Sequence, residues 1–470
     1  MARTMSASPH PAPLALRLGE FAAGLRWDAV PAAVRERARY LILDCVGCAL
    51  AARRFDFAER SLHAISELGG PGQSVVIGHR LRLPLRDAVL ANGILAHGLD
   101  YDDTHSAAIV HLSVSAFPTA LGVAAQRDLP GRDLLAAYLV ALEAGARIGA
   151  VAKGGFHAAG FHPTGLVGAF SCALAAGRLQ GLTAPQLAAA QGIALSVAAG
   201  SVEFLEDGAW TKRFHPGWAG VGGIVAAALA RQEFRAPSAA YEGRFGLYAC
   251  YMGDAAKSFD VQAAAAGLGS TWETLNIAVK PYPACHFVHA FADAALALRA
   301  GGVEAGGIAR IVARVPAGIV PVVCEPSANK RRPANDYDAK FSVPYVVAAS
   351  FVRGRFGLAD LEDDVLRDPA LLALAARVEY EVDPELDFPR HYGGEVIVHM
   401  ADGREVRHRE AMNRGSADRP LANAEIEAKF LDNARYAVDG RRAGERRDAV
   451  LGLETAPSTR AFANALAEHG

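Results

Sequence analysis

Cysteine, lysine, long apolar runs and net charge are all scarce in this chain, and each shortage removes a class of protein. Six cysteines among 470 residues are too few for a disulfide framework, and cytosolic thiols are expected to stay reduced. Cys45 and Cys48 form a C-x-x-C, but they lie inside LILDCVGCALAA, whose apolar spacing is helical. No second cysteine pair stands nearby to complete a zinc or redox site. No apolar stretch reaches the roughly 18 uninterrupted residues of a membrane span. A formal net charge of −2 offers no extended basic surface to nucleic acid. The amino-terminal MARTMSASPHPAP lacks the continuous apolar segment of a signal peptide, so residues 1–13 are expected to be a short disordered tail on a cytoplasmic protein. Neither a G-x-G-x-x-G after a strand nor a G-x-x-x-x-G-K-[ST] occurs, which leaves dinucleotide and P-loop chemistry without support.

Alanine, glycine and aliphatic residues dominate instead, with 51% of residues hydrophobic and 21% charged, the balance of a globular protein with a large core. From about residue 14 to 270, apolar residues recur at spacings of three and four in segments such as LALRLGEFAAGL, AAVRERARYLILDCVGCALAA and LRDAVLANGILAHG. The breaks DLPGRD and GLTAP carry the chemistry of loops and N-caps. After about residue 270, IARIVARV, ARVEYEV and the pair GGEVIVHM-ADG-REVRHRE show β-branched clustering and a hairpin turn. The fold class that follows is mainly α with a smaller α+β domain. It comprises a large helical domain over 14–270, an α+β domain over 271–414, and carboxy-terminal helices over about 415–470 packing back on the first.

Four segments interrupt the apolar pattern with ionisable groups: HGLDYDDTH and its continuation to His111 (97–111), GFHPTG (160–165), WTKRFHPGW (210–218) and KPYPACHFVH (280–289). Each stands at a helix end or in a loop, where a rigid scaffold presents functional groups. If the helix before His97 continues, His97, Asp100 and Thr104 share one face. A metal bound by His97, Asp100 and His105 has to contend with the lysines of the other segments, so no metal or cofactor is expected. His162 precedes Pro163 at the start of a helix, where an imidazole facing the free amides is held neutral and able to accept a proton. Lys212, Arg213 and His215 lie between aromatic residues in a pattern that suits a small anion, and Lys280 heads a segment bearing Cys285, His286 and His289.

Only seven of the 48 basic residues are lysine, and two of them, Lys212 and Lys280, fall in these segments. Arginine cannot replace lysine as a compact, tunable point charge. Two ammonium groups, several imidazoles and an aspartate suit removal of a proton next to a carboxylate, with the cations stabilising the charge that develops.

In chain order, HGLDYDDTH, GFHPTG, TKRFHPG, YEGRFGLY (241–248), KPYPACHFVHAFADA and AKFSVPY (339–345) resemble the MmgE/PrpD family over roughly residues 15–460. That family includes 2-methylcitrate dehydratase, cis-aconitate decarboxylase and iminodisuccinate epimerase. The resemblance implies a homodimer of subunits with a large helical domain and a smaller α+β lid domain, and chemistry without metal or organic cofactor in the decarboxylase and epimerase branches. Its pocket residues, carried over by position, are Asp100, Thr104, His111, His162, Lys212 and Lys280.

Two departures stand out: Cys285, with His286 next to it, occupies the place of a decarboxylase histidine, and Val322 aligns with a decarboxylase tyrosine. They direct the reading to a hydro-lyase acting on 2-methylcitrate or a similar hydroxy-polycarboxylate, ahead of a cofactor-free epimerase or a decarboxylase, and ahead of a non-catalytic helical binding protein. The expected roles are His162 as base, Lys212 and Lys280 as carboxylate ligands, and Asp100 acting on His111, which protonates the departing hydroxyl. Thr104, Arg213, Cys285 and His286 complete the substrate contacts.

Overall fold

The computed structural model describes residues 12–468, so the expected tail lies outside them except for its last two residues. Two compact units emerge: 12–98, 104–275 and 430–468 form the first, and 99–103 with 276–429 form the second.

The first unit is helical. Its principal helices are α1 (Leu14–Gly24), α2 (Ala32–Ala52), α3 (Leu85–His97), α4 (Ser113–Arg127), α5 (Gly131–Val151), α6 (Pro163–Leu179), α7 (Ala184–Ala194) and α8 (Thr211–Arg231). The segment that became α4 is absent from the helices read from the sequence, because Pro118 in its interior masks the period. Cys45 and Cys48 are buried in α2 as thiols not joined in a disulfide. α8 lies at the centre, against α3, α6 and α7. Glycine makes this possible: a methyl group on Gly93 of α3 would collide with the Cα of Gly217, and one on Gly223 would collide with Cys172 of α6.

Pro216-Gly217 is a pair that ordinarily breaks a helix. Instead α8 starts at Thr211 and runs through Pro216, so Lys212, Arg213 and His215 all stand on its first turns. The N-cap reading of GLTAP is met by a capping box between Thr183 and Gln186.

α5 is long and apolar enough to cross a bilayer, but 94% of its most apolar window is buried inside the fold. It carries Glu143, whose carboxylate accepts bonds from the Thr274 amide (2.8 Å), the Thr274 hydroxyl (2.7 Å) and the Glu273 amide (3.1 Å). Burial raises the Glu143 pKa above its ordinary value despite those donors.

The second unit holds a four-stranded sheet of β1 (Ile308–Val315), β2 (Val378–Val382), β3 (Gly394–Met400) and β4 (Glu405–Glu410), in the spatial order β2-β1-β3-β4. β1 and β2 are parallel, with Ile311 opposite Val378, while β1/β3 and β3/β4 are antiparallel. β3 and β4 are the hairpin read from the sequence. Charged residues alternate along β4, which closes the sheet edge to further pairing. Two helices, α9 (His289–Ala300) and α10 (Val343–Arg353), pack on each other, and α9 covers β3 and β4. Phe291, Val315, Val347, Phe351 and Val396 are fully buried in this core, each contributing about 1.5–3 kcal/mol of apolar burial.

Candidate active site

Four imidazoles gather in the first unit. His97 is the last residue of α3, His111 precedes α4, His162 caps α6 and His215 lies on the second turn of α8. The backbone fixes their positions. The His111 amide donates to the Thr164 hydroxyl (3.0 Å) and the His162 amide to the Gly200 carbonyl (2.9 Å). Gly200 has φ +148, and a side chain there would meet the His215 ring. Ring centroids lie 4.7 Å apart for His97 and His111, 5.7 Å for His97 and His162, and 5.2 Å for His162 and His215.

Nδ1 of His162 and Nδ1 of His215 are 3.0 Å apart. Two such nitrogens can share only one proton, so one ring donates through Nδ1 and the other accepts. In the neutral pair the donor ring therefore keeps an Nε2 lone pair, which makes it a base. The expectation that the His162 ring faces the free amides of its helix is corrected here: no side-chain cap bond forms, and the imidazole turns to His215.

The His162 pKa lies well below the usual histidine value, chiefly through burial and then through His97, Lys212, His111 and His215. Burial, His97 and Lys212 likewise bring His215 down to about 4. Burial followed by Lys212 lowers His157. Cations and further imidazoles thus surround the pair, an environment that resists protonation and attracts anions.

Phe204 closes one side, edge-on to the His162 ring at 5.8 Å, with the Lys212 ammonium 6.0 Å from its centre. Thr104 Oγ1 lies 3.2 Å from His111 Nδ1. Arg213, expected at the substrate, stacks on Phe57 (4.1 Å) and Trp210 (5.4 Å). His105 belongs elsewhere, with Nε2 3.1 Å from Glu273 and Nδ1 accepting from the Ala108 amide. His97 and His215, noted in their segments but given no role in the expected chemistry, join the cluster here. The signal for both was spacing, because each stands three residues from a chosen residue, Asp100 or Lys212, one helical turn away if the helix is unbroken.

Asp100, Lys280, Cys285 and His286 belong to the second unit. The helix does not continue through HGLDYDDTH: it ends at His97, and Asp100 is left-handed at φ 53. One-face helical geometry from His97 to Thr104 is thereby ruled out. The turn presents both the carbonyl and the carboxylate of Asp100 to the buried Lys280 ammonium, at 2.8 and 2.9 Å. Burial alone lowers the Lys280 pKa, but Asp100 and Asp102 outweigh it and hold it above the ordinary lysine value. Lys429 caps the Tyr101 carbonyl at 2.7 Å, and Tyr101 donates to the Pro281 carbonyl at 3.0 Å. The Cys285 amide donates to the Lys340 carbonyl (3.0 Å), which joins KPYPACHFVH to AKFSVPY. His286 packs 4.8 Å from His289.

The chain belongs to the MmgE/PrpD family: residues 16–260 match the MmgE/PrpD N-terminal domain and residues 282–455 the C-terminal domain. Among its relatives, cis-aconitate decarboxylase of Aspergillus terreus is 29% identical over 464 residues, covering 92% of both chains. The cis-aconitate decarboxylase-like protein oryM of Aspergillus oryzae is 27% identical, covering 91% of both. Human cis-aconitate decarboxylase is 28% identical, covering 87% of this chain and 85% of its own. These relatives support enzymatic, lyase-type chemistry.

Proposed function

We propose that this chain is a lyase acting on a small tricarboxylate, in which a proton moves between the His162–His215 pair and a substrate carbon next to a carboxylate. The 3.0 Å contact between the two Nδ1 atoms carries this reading. A shared proton leaves one Nε2 as acceptor and the other as N–H, so one pair supplies both a base and an acid. The Lys212 ammonium, close enough to shift both rings, receives a substrate carboxylate. Once that carboxylate neutralises it, the pair gains proton affinity and can also act as an acid.

The relatives make cis-aconitate the first substrate to test. In its decarboxylation the CH2–COO− bond breaks and CO2 leaves. The freed electron pair forms a terminal C=CH2 as the original double bond shifts, and the former alkene CH takes a proton from the imidazole pair. A second reading, elimination of water from a 2-methylcitrate-type hydroxyacid, is favoured by Cys285 at the position of a decarboxylase histidine and by an unliganded His162 that prefers to be neutral. There the pair removes the α-proton and His111 protonates the departing hydroxyl.

Proton NMR on cis-aconitate, 2-methylcitrate, citrate and iminodisuccinate distinguishes the readings. A pair of methylene singlets with release of CO2 marks decarboxylation, a new vinylic CH signal from citrate or collapse of the 2-methylcitrate methyl doublet to an allylic singlet marks elimination, and deuterium exchange alone marks epimerisation. His162→Gln is expected to lower kcat by about 10²–10⁴-fold. Wild-type turnover in that variant would falsify the assignment.

A further inference from the structure

We infer that the imidazoles of His97, His111 and His162 form a three-nitrogen site for a divalent transition ion of the zinc and cobalt class. This uses the cluster of the proposed reaction, so a bound ion there acts as an inhibitor.

All three rings are buried in one unit, and one nitrogen from each lies within 4.8 Å of the others. Zn–N bonds of about 2.0–2.1 Å place the nitrogens of a tetrahedral site roughly 3.3 Å apart, so each needs to move inward by no more than about 1 Å. The rings are already oriented for this. Nδ1 of His111 is engaged by Thr104 at 3.2 Å and Nδ1 of His162 by His215 at 3.0 Å, and in the inferred site each of these two rings ligates through Nε2. A ligand imidazole held through its other nitrogen is the usual outer-shell arrangement of a metal-binding histidine. An all-imidazole set selects zinc, cobalt, nickel or copper over magnesium or calcium. Three protein ligands also leave a fourth position for water or a carboxylate. The Lys212 ammonium opposes a dication, which places the expected affinity in the micromolar range.

The test is a Co2+ titration of the full chain after chelator treatment, read by visible absorption, with Zn2+ binding measured by calorimetry. Expected are intense tetrahedral cobalt bands saturating at one equivalent, and at least tenfold weaker binding in His97→Gln and in His111→Gln. Thr104→Val, which removes only the outer hydroxyl, should weaken binding by about tenfold, whereas His157→Gln should leave it unchanged. A weak octahedral spectrum, or binding indifferent to His97→Gln in a folded variant, overturns the site. Because binding is read without turnover, a tetrahedral cobalt spectrum in a chain inert towards every acid of the panel sustains this inference while the reaction assignment fails. Full turnover under saturating Zn2+ overturns the inference and leaves the reaction standing.

Discussion

The two units bury ionisable groups in opposite ways. In the first, His97, His111, His162 and His215 pack together, and burial, then His97 and Lys212, keep the His162–His215 pair neutral. In the second, Lys280 is buried fully charged against the carbonyl and carboxylate of Asp100. A neutral imidazole tolerates an apolar setting, but an ammonium tolerates it only with its counter-charge in place. The first arrangement keeps proton affinity adjustable and therefore suits chemistry, while the second fixes charge and therefore suits architecture. Lys280 and Lys212, read from the sequence as equivalent carboxylate ligands, are thus set apart by their surroundings.

Removing one partner from the charged arrangement should have the largest effect. Lys280→Met leaves the Asp100 carboxylate buried without its ammonium, and is expected to destabilise the second unit by about 3–5 kcal/mol. Hydrogen exchange of the Gly394–Met400 amides measures this in the unit concerned. Adding Asp100→Asn should restore part of the loss, because the buried charge then goes too. Equal destabilisation in the single and double variants would show that Lys280 acts through packing and would erase the contrast.

Acid should separate the units next. Burial first, then Lys280 and Lys429, bring His289 down to about 3. A depressed pKa contributes stability that is complete above the unfolded value near 6.5 and is lost as pH falls towards the folded value. Between those limits the unfolded chain takes up a proton that the folded unit refuses. By pH 5 the loss is about 2 kcal/mol. His289→Gln keeps a donor for the Ala284 carbonyl and removes the titration. The exchange protection of α9 should then become less pH-dependent by about one proton, while the first unit still loses stability over the His215 window, from 6.5 down to about 4. An unchanged pH slope would place the acid lability elsewhere.

Much of this was legible in the sequence wherever one physical signal acted alone. Helical spacing located α3, α5 and α6, β-branched alternation with an Ala-Asp-Gly turn located β3 and β4, and Pro163 marked the start of α6 with His162 as its cap. The reading failed where two signals competed. A proline ordinarily interrupts a helix, yet Pro118 and Pro216 both lie inside helices whose glycine and alanine faces pack closely enough to compensate for a lost backbone bond. The left-handed Asp100 was hidden because aspartate is also tolerated at a helix end. That His162 turns to His215 rather than to its own helix amides depends on the close approach of α3, α6 and α8, a tertiary fact that local spacing does not encode.

The smallest effect examines what keeps the imidazole pair neutral without fixing it by charge. Phe204 stands edge-on to His162 and 6.0 Å from His215, and the Lys212 ammonium lies 6.0 Å from its ring centre. An edge-to-face ring contact and a half-exposed cation–π contact each contribute about 0.5–1 kcal/mol. Phe204→Leu keeps the apolar surroundings but removes the ring quadrupole, so kcat should fall about threefold to tenfold, or roughly 0.6–1.4 kcal/mol, with KM unchanged. The Gly394–Met400 exchange rates, which report on the charged arrangement, should not move. A loss beyond a hundredfold would mean that Phe204 touches the reacting molecule itself. No loss at all would mean that apolar burial alone positions the pair, which would leave the contrast between the units resting on charge compensation.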